Sequence, residues 1–208
     1  MPALLQDRWF SLWQRLGAGG SAEEAFDSLA RRYATPARAY HNLSHIADCF
    51  DQLSLAASLA EDLNAVELAI WFHDAIYDSK AKDNEEQSAD KAVDFICGAR
   101  LSEELAETVS ALILATKHSA PPASADAALV IDVDLSILGR STEVFDNYER
   151  QIREEYAWVE ARTFAAGRTA VLESFLSRSA IYSTGFFRKR YESKARMNLR
   201  HSIEALRQ

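Results

Sequence analysis

Apolar residues recur every three to four positions along most of the chain, which is the spacing of amphipathic α-helices. The N-terminal segment is a clear case, because leucine and tryptophan side chains alternate there with polar ones until glycines follow at 17, 19 and 20. Similar segments continue to the C-terminus with short polar breaks. The pattern predicts helices over about 4–16, 21–33, 42–53, 64–77, 84–97, 102–117, 128–138, 142–158, 162–178 and 184–206.

The ends of several helices carry recognisable signals. Asn42 is a plausible N-cap for the third helix. Asn64 with Glu67 three residues later resembles a capping box and predicts the start of the fourth. A polar loop is expected over 78–84, and prolines mark another loop over 119–125. Since no repeat, low-complexity tract or linker interrupts the pattern, we expect a single domain spanning residues 1–208.

Composition supports an all-α, multi-helix bundle. Ala and Leu outnumber Val and Ile by about three to one, a helical preference. Gly and Pro, at 7 and 4 residues, are too few for a turn-rich β-sandwich. The charged and apolar fractions, 26% and 48%, are those of a globular protein and exclude wholesale disorder.

Charge and cysteine usage narrow the partners and the compartment. The net charge of −8 excludes a protein that coats nucleic acid, which needs a basic surface. The charge is uneven, since residues 150–208 carry a net +6 and the remainder a net −14. Cys49 and Cys97 do not form a C-x-x-C pair, which indicates two buried thiols in a reducing compartment. No apolar stretch reaches membrane-spanning length and no signal peptide is evident, so we expect a cytoplasmic protein without a membrane partner.

Acidic and histidine side chains stand inside two strongly apolar runs. His73 and Asp74 belong to residues 68–77, which are otherwise mostly apolar on all sides, the pattern of a buried central helix. Asp132 and Asp134 interrupt a second run without a nearby Lys or Arg. A buried carboxylate must be neutralised, paired or bound to a metal. A metal ion is the most economical partner for both runs.

A third element supplies histidines. His41 and His45 are four residues apart and would share one helix face, so that one could bind a metal while the other faces the same cavity. Three structural explanations that need no metal ion also stay open at this point. A buried histidine can be a hydrogen-bonded core residue, Asp132 or Asp134 can cap a helix, and the buried acids can pair with distant arginines in a purely structural protein.

The order His, His-Asp, Asp on apolar helices resembles the HD superfamily of metal-dependent phosphohydrolases, and the all-α pattern agrees with it across most of the chain. The motifs are similar to those of a group of predicted HD phosphohydrolases of comparable length. The resemblance implies that His45, His73, Asp74 and Asp134 hold one divalent ion. Asp134 is preferred to Asp132 because an Asp followed by Leu resembles the closing motif of the family. Mixed nitrogen and oxygen ligands suit Mn²⁺, Fe²⁺, Co²⁺, Ni²⁺, Mg²⁺ or Zn²⁺.

Tyr40-His41-Asn42-x-x-His45 also resembles the motif of class I cyclic-nucleotide phosphodiesterases, which implies that His41 is a general acid. Those enzymes follow His-Asp with a further Asp-His that is lacking here. The related guanosine-tetraphosphate hydrolases have Glu-Asp at the third and fourth positions after His-Asp, where this chain has Tyr77 and Asp78.

The expected reaction is hydrolysis of a phosphate ester or phosphoanhydride at a metal-activated water. His41 would protonate the leaving group, and Asp78, Glu85 or Glu86 would orient the water, Asp78 being favoured. Candidate substrate-binding residues are Tyr40, Asn42, Lys82, Lys117, His118, Arg153 and Arg196.

The sequence therefore predicts a metal-dependent phosphohydrolase for a nucleotide or a small phosphorylated metabolite. The metal-site core would span about residues 38–140, with the C-terminal helices 141–208 packed on it. The alternatives are a cyclic-nucleotide or alarmone type of hydrolase and a non-catalytic helical sensor of a metal or ligand. The expected partner is a small phosphorylated substrate, and a homodimer is an option that the sequence leaves open.

Overall fold

Helices dominate the chain, and no β-strand occurs among residues 2–208, which are the residues that a computed structural model describes. The all-α prediction is confirmed. Two short 3₁₀ segments, Ala57–Leu59 and Leu135–Gly139, accompany the α-helices. The α-helices are α1 Pro2–Leu16, α2 Ala22–Tyr33, α3 Leu43–Ala56, α4 Leu63–Phe72, α5 Asn84–Gly98, α6 Glu103–Ala115, α7 Ala125–Asp134, α8 Thr142–Glu155, α9 Ala161–Leu176 and α10 Gly185–Leu206.

The N-cap of α3 follows the sequence prediction, but that of α4 does not. The side-chain oxygen of Asn42 accepts a hydrogen bond from the amide of Ser44 at 2.8 Å. Helix α4 is capped by Asp62, whose carboxylate accepts from the amides of Asn64 and Ala65 at 2.9 and 3.0 Å. The predicted Asn64 cap was therefore wrong, because the residue two positions earlier already holds those amides.

Helix α4 also ends five residues earlier than predicted, at Phe72 instead of Tyr77. The hydroxyl of Tyr33, from outside the helix, donates to the carbonyl of Trp71 at 2.8 Å, and the amide of Ala75 bonds to the carbonyl of Phe72 instead of that of Trp71. Arg38 donates to the carbonyl oxygens of Asp74 and Ala75 at 2.6 and 3.2 Å. A continuing helix would need these carbonyls for its own amides. His73 and Asp74 therefore lie in a turn directly after the helix.

The chain divides into two compact units, one up to Val133 and one from Asp134 to Gln208. In the first, α4 packs against α1, α3, α5 and α6, and every residue from Ala65 to Phe72 is buried. Glu67 on this helix is paired by Arg8 at 3.3 Å and Arg15 at 2.6 Å. It is thus a buried acid with distant arginine partners and not the second half of a capping box.

In the second unit, α10 packs against α8, α9 and the segment Leu135–Gly139. The Tyr182 hydroxyl donates to the carbonyl of Leu135 at 3.1 Å, and the Asn198 amide donates to that of Leu138 at 2.9 Å. A helix predicted through residue 138 is therefore α-helical only to Asp134. The single domain predicted for residues 1–208 stays a prediction. No helix among residues 2–208 is both long and apolar enough to cross a membrane.

Candidate metal centre

Two histidines and one aspartate of the first unit meet around a common point. His45 Nε2 and His73 Nε2 are 3.1 Å apart. Asp74 Oδ2 lies 3.1 Å from the His73 nitrogen and 3.4 Å from the His45 nitrogen. Three donor atoms from separate parts of the sequence thus form a triangle with sides of 3.1–3.4 Å.

Local structure explains how these side chains converge. Asn42 starts α3, so His45 falls in the first turn of that helix, and His73 directly follows the end of α4. Both imidazoles are buried, and Asp74 is partly exposed. His73 Nδ1 lies 2.9 Å from the carbonyl oxygen of Ile70. This contact assigns the proton to Nδ1 and leaves the Nε2 lone pair directed at the cluster, as in metal-bound histidines.

One further donor of the first unit lies close to the histidines. His45, Cys49 and His73 each offer an atom within 4.8 Å of the others, and such a group could contribute to a metal site. Asp132 is fully buried in the first unit, whereas Asp134 begins the second, and the choice of Asp134 as a ligand stays a prediction.

Cys49 is a site neighbour that the sequence reasoning missed. Its signal was present, because it lies four residues after His45 on the same helix face. Its sulfur is 3.7 Å from both ring nitrogens of His45. Equal distances place the thiol beside the imidazole and away from the direction of the Nε2 lone pair.

The electrostatics of the cluster favour an ionised Asp74. Burial alone would raise the pKa of this carboxyl group. In the metal-free cluster with protonated imidazoles, the charges of His73 and His41 and the hydrogen bonds from His45 and His73 outweigh burial and hold the pKa well below its usual value. The carboxylate is therefore available as an anionic ligand at neutral pH.

The triangle has the dimensions of one face of a metal coordination polyhedron. With bonds of about 2.1 Å, neighbouring ligands are roughly 3.0 Å apart around an octahedral ion and roughly 3.4 Å apart around a tetrahedral one. The observed separations of 3.1–3.4 Å fall between these values. A group of one carboxylate and two imidazoles fits a divalent transition metal.

Arg38 is the second residue that the sequence reasoning missed, and no pattern in the chain singles it out. Besides the carbonyls of Asp74 and Ala75, its guanidinium donates to that of His41 at 3.3 Å. The guanidinium also lies over the rings of Tyr33 and Tyr77, 5.3 and 5.7 Å from their centroids. Arg38 thereby fastens the turn that carries Asp74 to the segment before α3.

His41 lies next to the cluster but not on a helix, in contrast to the prediction, because α3 begins only at Leu43. Its ring stacks on Tyr77 at 4.0 Å, and its centroid is 6.1 Å from that of His45. Tyr40 is buried, with its ring 4.7 Å from the His45 ring. These positions are compatible with the roles predicted for His41 and Tyr40.

Asn42, predicted to bind substrate, is occupied by local structure. Its oxygen caps α3, and its amide nitrogen donates to the carbonyls of Ala39 and Arg38 at 2.9 and 3.4 Å.

Asp78, the favoured water-orienting residue, is exposed in the loop after the cluster. Its carboxylate accepts from the amide of Lys80 at 2.9 Å, and its backbone is held by the side chain of Asn84. The hydroxyl of Ser88 bonds to both the amide and the carbonyl of Ile76. The side chains of Asn84 and Ser88 therefore attach this loop to α5.

Two further site predictions pair with one another. Glu86 and Lys117 form an exposed ion pair. The hydrogen bond between them lowers the pKa of Glu86 and raises that of Lys117.

Lys82 is exposed, and so is much of the surface of Glu86. His118 has a left-handed backbone with φ of 55°, and its amide bonds to the carbonyl of Ala115, so the residue terminates α6.

The two arginines predicted to bind substrate make structural contacts in the second unit. Arg153 donates to the carbonyls of Tyr156 and Val159 at 2.6 and 3.1 Å. Arg196 binds Glu192 at 2.6 Å and the carbonyls of residues 176, 178 and 179 after α9. Their substrate contacts stay a prediction.

Comparison of the chain with protein-family models, with curated proteins and with solved structures gave no significant match. The resemblance to HD phosphohydrolases therefore rests on the motif residues.

Proposed function

We propose that this protein is a metal-dependent phosphohydrolase that acts on a phosphate ester or anhydride of a nucleotide or a similar small metabolite. The observation that carries the proposal is the triangle of His45 Nε2, His73 Nε2 and Asp74 Oδ2. A structural ion pair is a poorer account of Asp74, because Arg38 binds the backbone carbonyl of this residue and its carboxylate is turned to the histidines.

The ligands we propose are His45, His73, Asp74 and Asp134, which are also the residues that the HD resemblance implies. A divalent ion held there would supply an activated water and polarise a phosphoryl oxygen. The hydrogen bond between His73 Nδ1 and Ile70 keeps one imidazole in the tautomer that can bind the ion.

His41 is the general acid in this proposal. Its partly buried ring is held against Tyr77 beside the cluster, and a positioned imidazole can donate a proton to a leaving group. It would hold that proton at the ring nitrogen nearest the substrate and deliver it to the leaving oxygen. Asp78 would orient the water. Glu86 is the weaker candidate for this role because Lys117 already binds its carboxylate.

Metal analysis tests the site itself. We expect elemental analysis of the purified protein to find a stoichiometric divalent metal, and we expect its loss in His73→Ala and Asp74→Ala. His201→Ala is a matched control, because this histidine is exposed on α10. Absence of stoichiometric metal, with unchanged stability in both variants, would instead identify a purely structural helical protein.

Activity is best tested by a metal-supplemented screen of phosphorylated metabolites that includes monoesters, anhydrides and cyclic diesters. We expect His41→Ala to retain the metal and to lose about 10²–10⁴-fold in turnover, the usual contribution of general acid catalysis. The loss should be smaller for a substrate with an acidic leaving group, which needs no proton. Loss of the ion in His41→Ala would show that the two histidines were assigned wrongly. Hydrolysis of cyclic diesters alone would favour the phosphodiesterase reading, and no hydrolysis with any divalent metal would favour a sensor.

A further inference from the structure

A cleft in the second unit, separate from the proposed metal ligands, has the features of a binding site for a small molecule. It lies between the end of α8, the following turn and α9, and has a volume of about 320 Å³. Its walls are mostly apolar and include Ile152, Tyr156, Val159, Phe164 and Val171. Pockets that bind small molecules have such volumes and combine apolar walls with a few polar groups.

A glycine inside a helix opens this cleft. Gly167 lies in the interior of α9, where glycine is less favourable than alanine because it loses more backbone entropy on folding. A Cβ atom added at this position would have no atom within 4 Å, apart from its own helix backbone and neighbours. Packing therefore does not require the glycine. A larger side chain there would instead stand in the cleft, so the unfilled space is a reason for its presence.

One polar group of the cleft has a hydrogen-bond donor that no protein group occupies. The side chain of Arg168, which lines the cleft, is 11% exposed. Its Nε and Nη2 donate to Glu149 at 3.3 and 2.5 Å, and Nη2 also donates to the Tyr148 hydroxyl at 2.8 Å. Its remaining nitrogen, Nη1, makes no hydrogen bond within residues 2–208 and is not among the buried atoms that lack a partner, so solvent reaches it. A ligand in the cleft could accept a hydrogen bond from it.

The ion pair between Arg168 and Glu149 determines which ligand charge the cleft favours. Glu149 already neutralises Arg168, and its carboxylate also accepts from the hydroxyl of Ser202 at 3.0 Å. A second anion would lie close to this carboxylate in a poorly hydrated place, where repulsion between like charges is strong. A neutral oxygen acceptor suits Nη1 better. Tyr156 and one face of Phe164, with ring centroids 6.0 Å apart, provide surfaces for a flat apolar group. The guanidinium of Arg153 lies over the Phe164 ring, 4.8 Å from its centroid.

We propose that this cleft binds a small, uncharged, aromatic molecule whose single carbonyl or hydroxyl oxygen accepts a hydrogen bond from Arg168 Nη1. The proposal does not depend on the hydrolytic activity.

Calorimetric titration of the full chain with three probes of equal shape tests it. Acetylnaphthalene carries a neutral acceptor, ethylnaphthalene has none, and naphthoate carries a charge. We expect acetylnaphthalene to bind about tenfold more tightly than either of the others, which is the effect of one good hydrogen bond. Equal affinities, tighter binding of naphthoate or no binding of any probe would overturn the proposal.

Filling the cleft provides the second arm of the test. Gly167→Leu should abolish binding of acetylnaphthalene while circular dichroism shows an intact helical fold. Gly98→Leu is the matched control, because this helical glycine in α5 also has open space around an added Cβ but lies outside the cleft. Val171→Trp serves as a second filling variant if Gly167→Leu does not fold. Binding that survives in a folded filling variant would overturn the proposal.

Discussion

Arg38 should control both the stability of the protein and its affinity for a metal ion. The informative substitution is Arg38→Met, which keeps an unbranched apolar stem of similar length but removes every hydrogen-bond donor. Arg38 is only 9% exposed, and its guanidinium donates hydrogen bonds to the carbonyls of His41, Asp74 and Ala75. In the variant these carbonyls lose a charged donor.

The size of the effect follows from the geometry of those bonds. Two of them, at 2.6 and 3.2 Å, are well formed, and the third is long at 3.3 Å. Hydrogen bonds to a charged group contribute about 1.5–3 kcal/mol each. We therefore expect the free energy of unfolding to fall by about 3–5 kcal/mol. In Arg38→Met the turn that carries Asp74 loses its hydrogen bonds to residue 38. Metal affinity should therefore fall roughly 10–100-fold, as it does when other residues that orient metal ligands are replaced.

Urea denaturation of the metal-free protein measures the free energy of unfolding, and titration with Mn²⁺ or Zn²⁺ measures the metal affinity. Arg32→Met is the matched control, because the side chain of this partly exposed arginine of α2 makes no hydrogen bond or ion pair within residues 2–208. The reasoning is refuted if Arg38→Met loses no more stability than Arg32→Met, or if its metal affinity equals that of the wild type.

Three further predictions concern packing, the thiol and alkaline pH. Gly139→Ala should lower the free energy of unfolding in urea by about 1–3 kcal/mol, because the added methyl overlaps with a side chain of α10, whereas Gly98→Ala has open space and should cost nothing. Since the Cys49 sulfur lies beside the His45 ring, Cys49→Ser should retain the metal, and the Co²⁺ protein should lack a thiolate charge-transfer band; a band lost in this variant but kept in Cys97→Ser would contradict this. Burial raises the pKa of the Tyr148 hydroxyl, so its contribution to stability is complete below about pH 10 and is lost as pH rises through the folded-state pKa. Tyr148→Phe should therefore lose less stability in alkaline urea titrations than the wild type, and equal losses would exclude this cause.

The helices were predictable because their signals are local. Periodic apolar residues and the Asn42 cap act over a few neighbouring residues, and both are present in the structure. The N-terminus of α4 was misplaced because Asp62 and Asn64 are both suitable caps by residue type. Only the geometry shows that Asp62 accepts from the free amides.

Candidate metal ligands were also accessible to sequence reasoning, because charged and imidazole groups in apolar runs are costly without a partner. His45, His73 and Asp74 do converge, whereas Asp134 as the fourth ligand stays a prediction. The same reasoning treated Glu67 as a cap partner, although it is a buried acid with arginine partners from α1. Because Glu67 and those arginines are far apart in the sequence, the local pattern of residues does not reveal their ion pairs.

The sequence by itself determined that this protein is helical and which few polar residues are candidates for a metal site. The tertiary structure decided the rest. It ended α4 at Phe72, where the Tyr33 hydroxyl binds the carbonyl of Trp71, and it paired Glu86 with Lys117. These outcomes depend on contacts between residues far apart in the chain. The periodicity of one segment carries no information about which distant side chain will take its carbonyls or balance its charge.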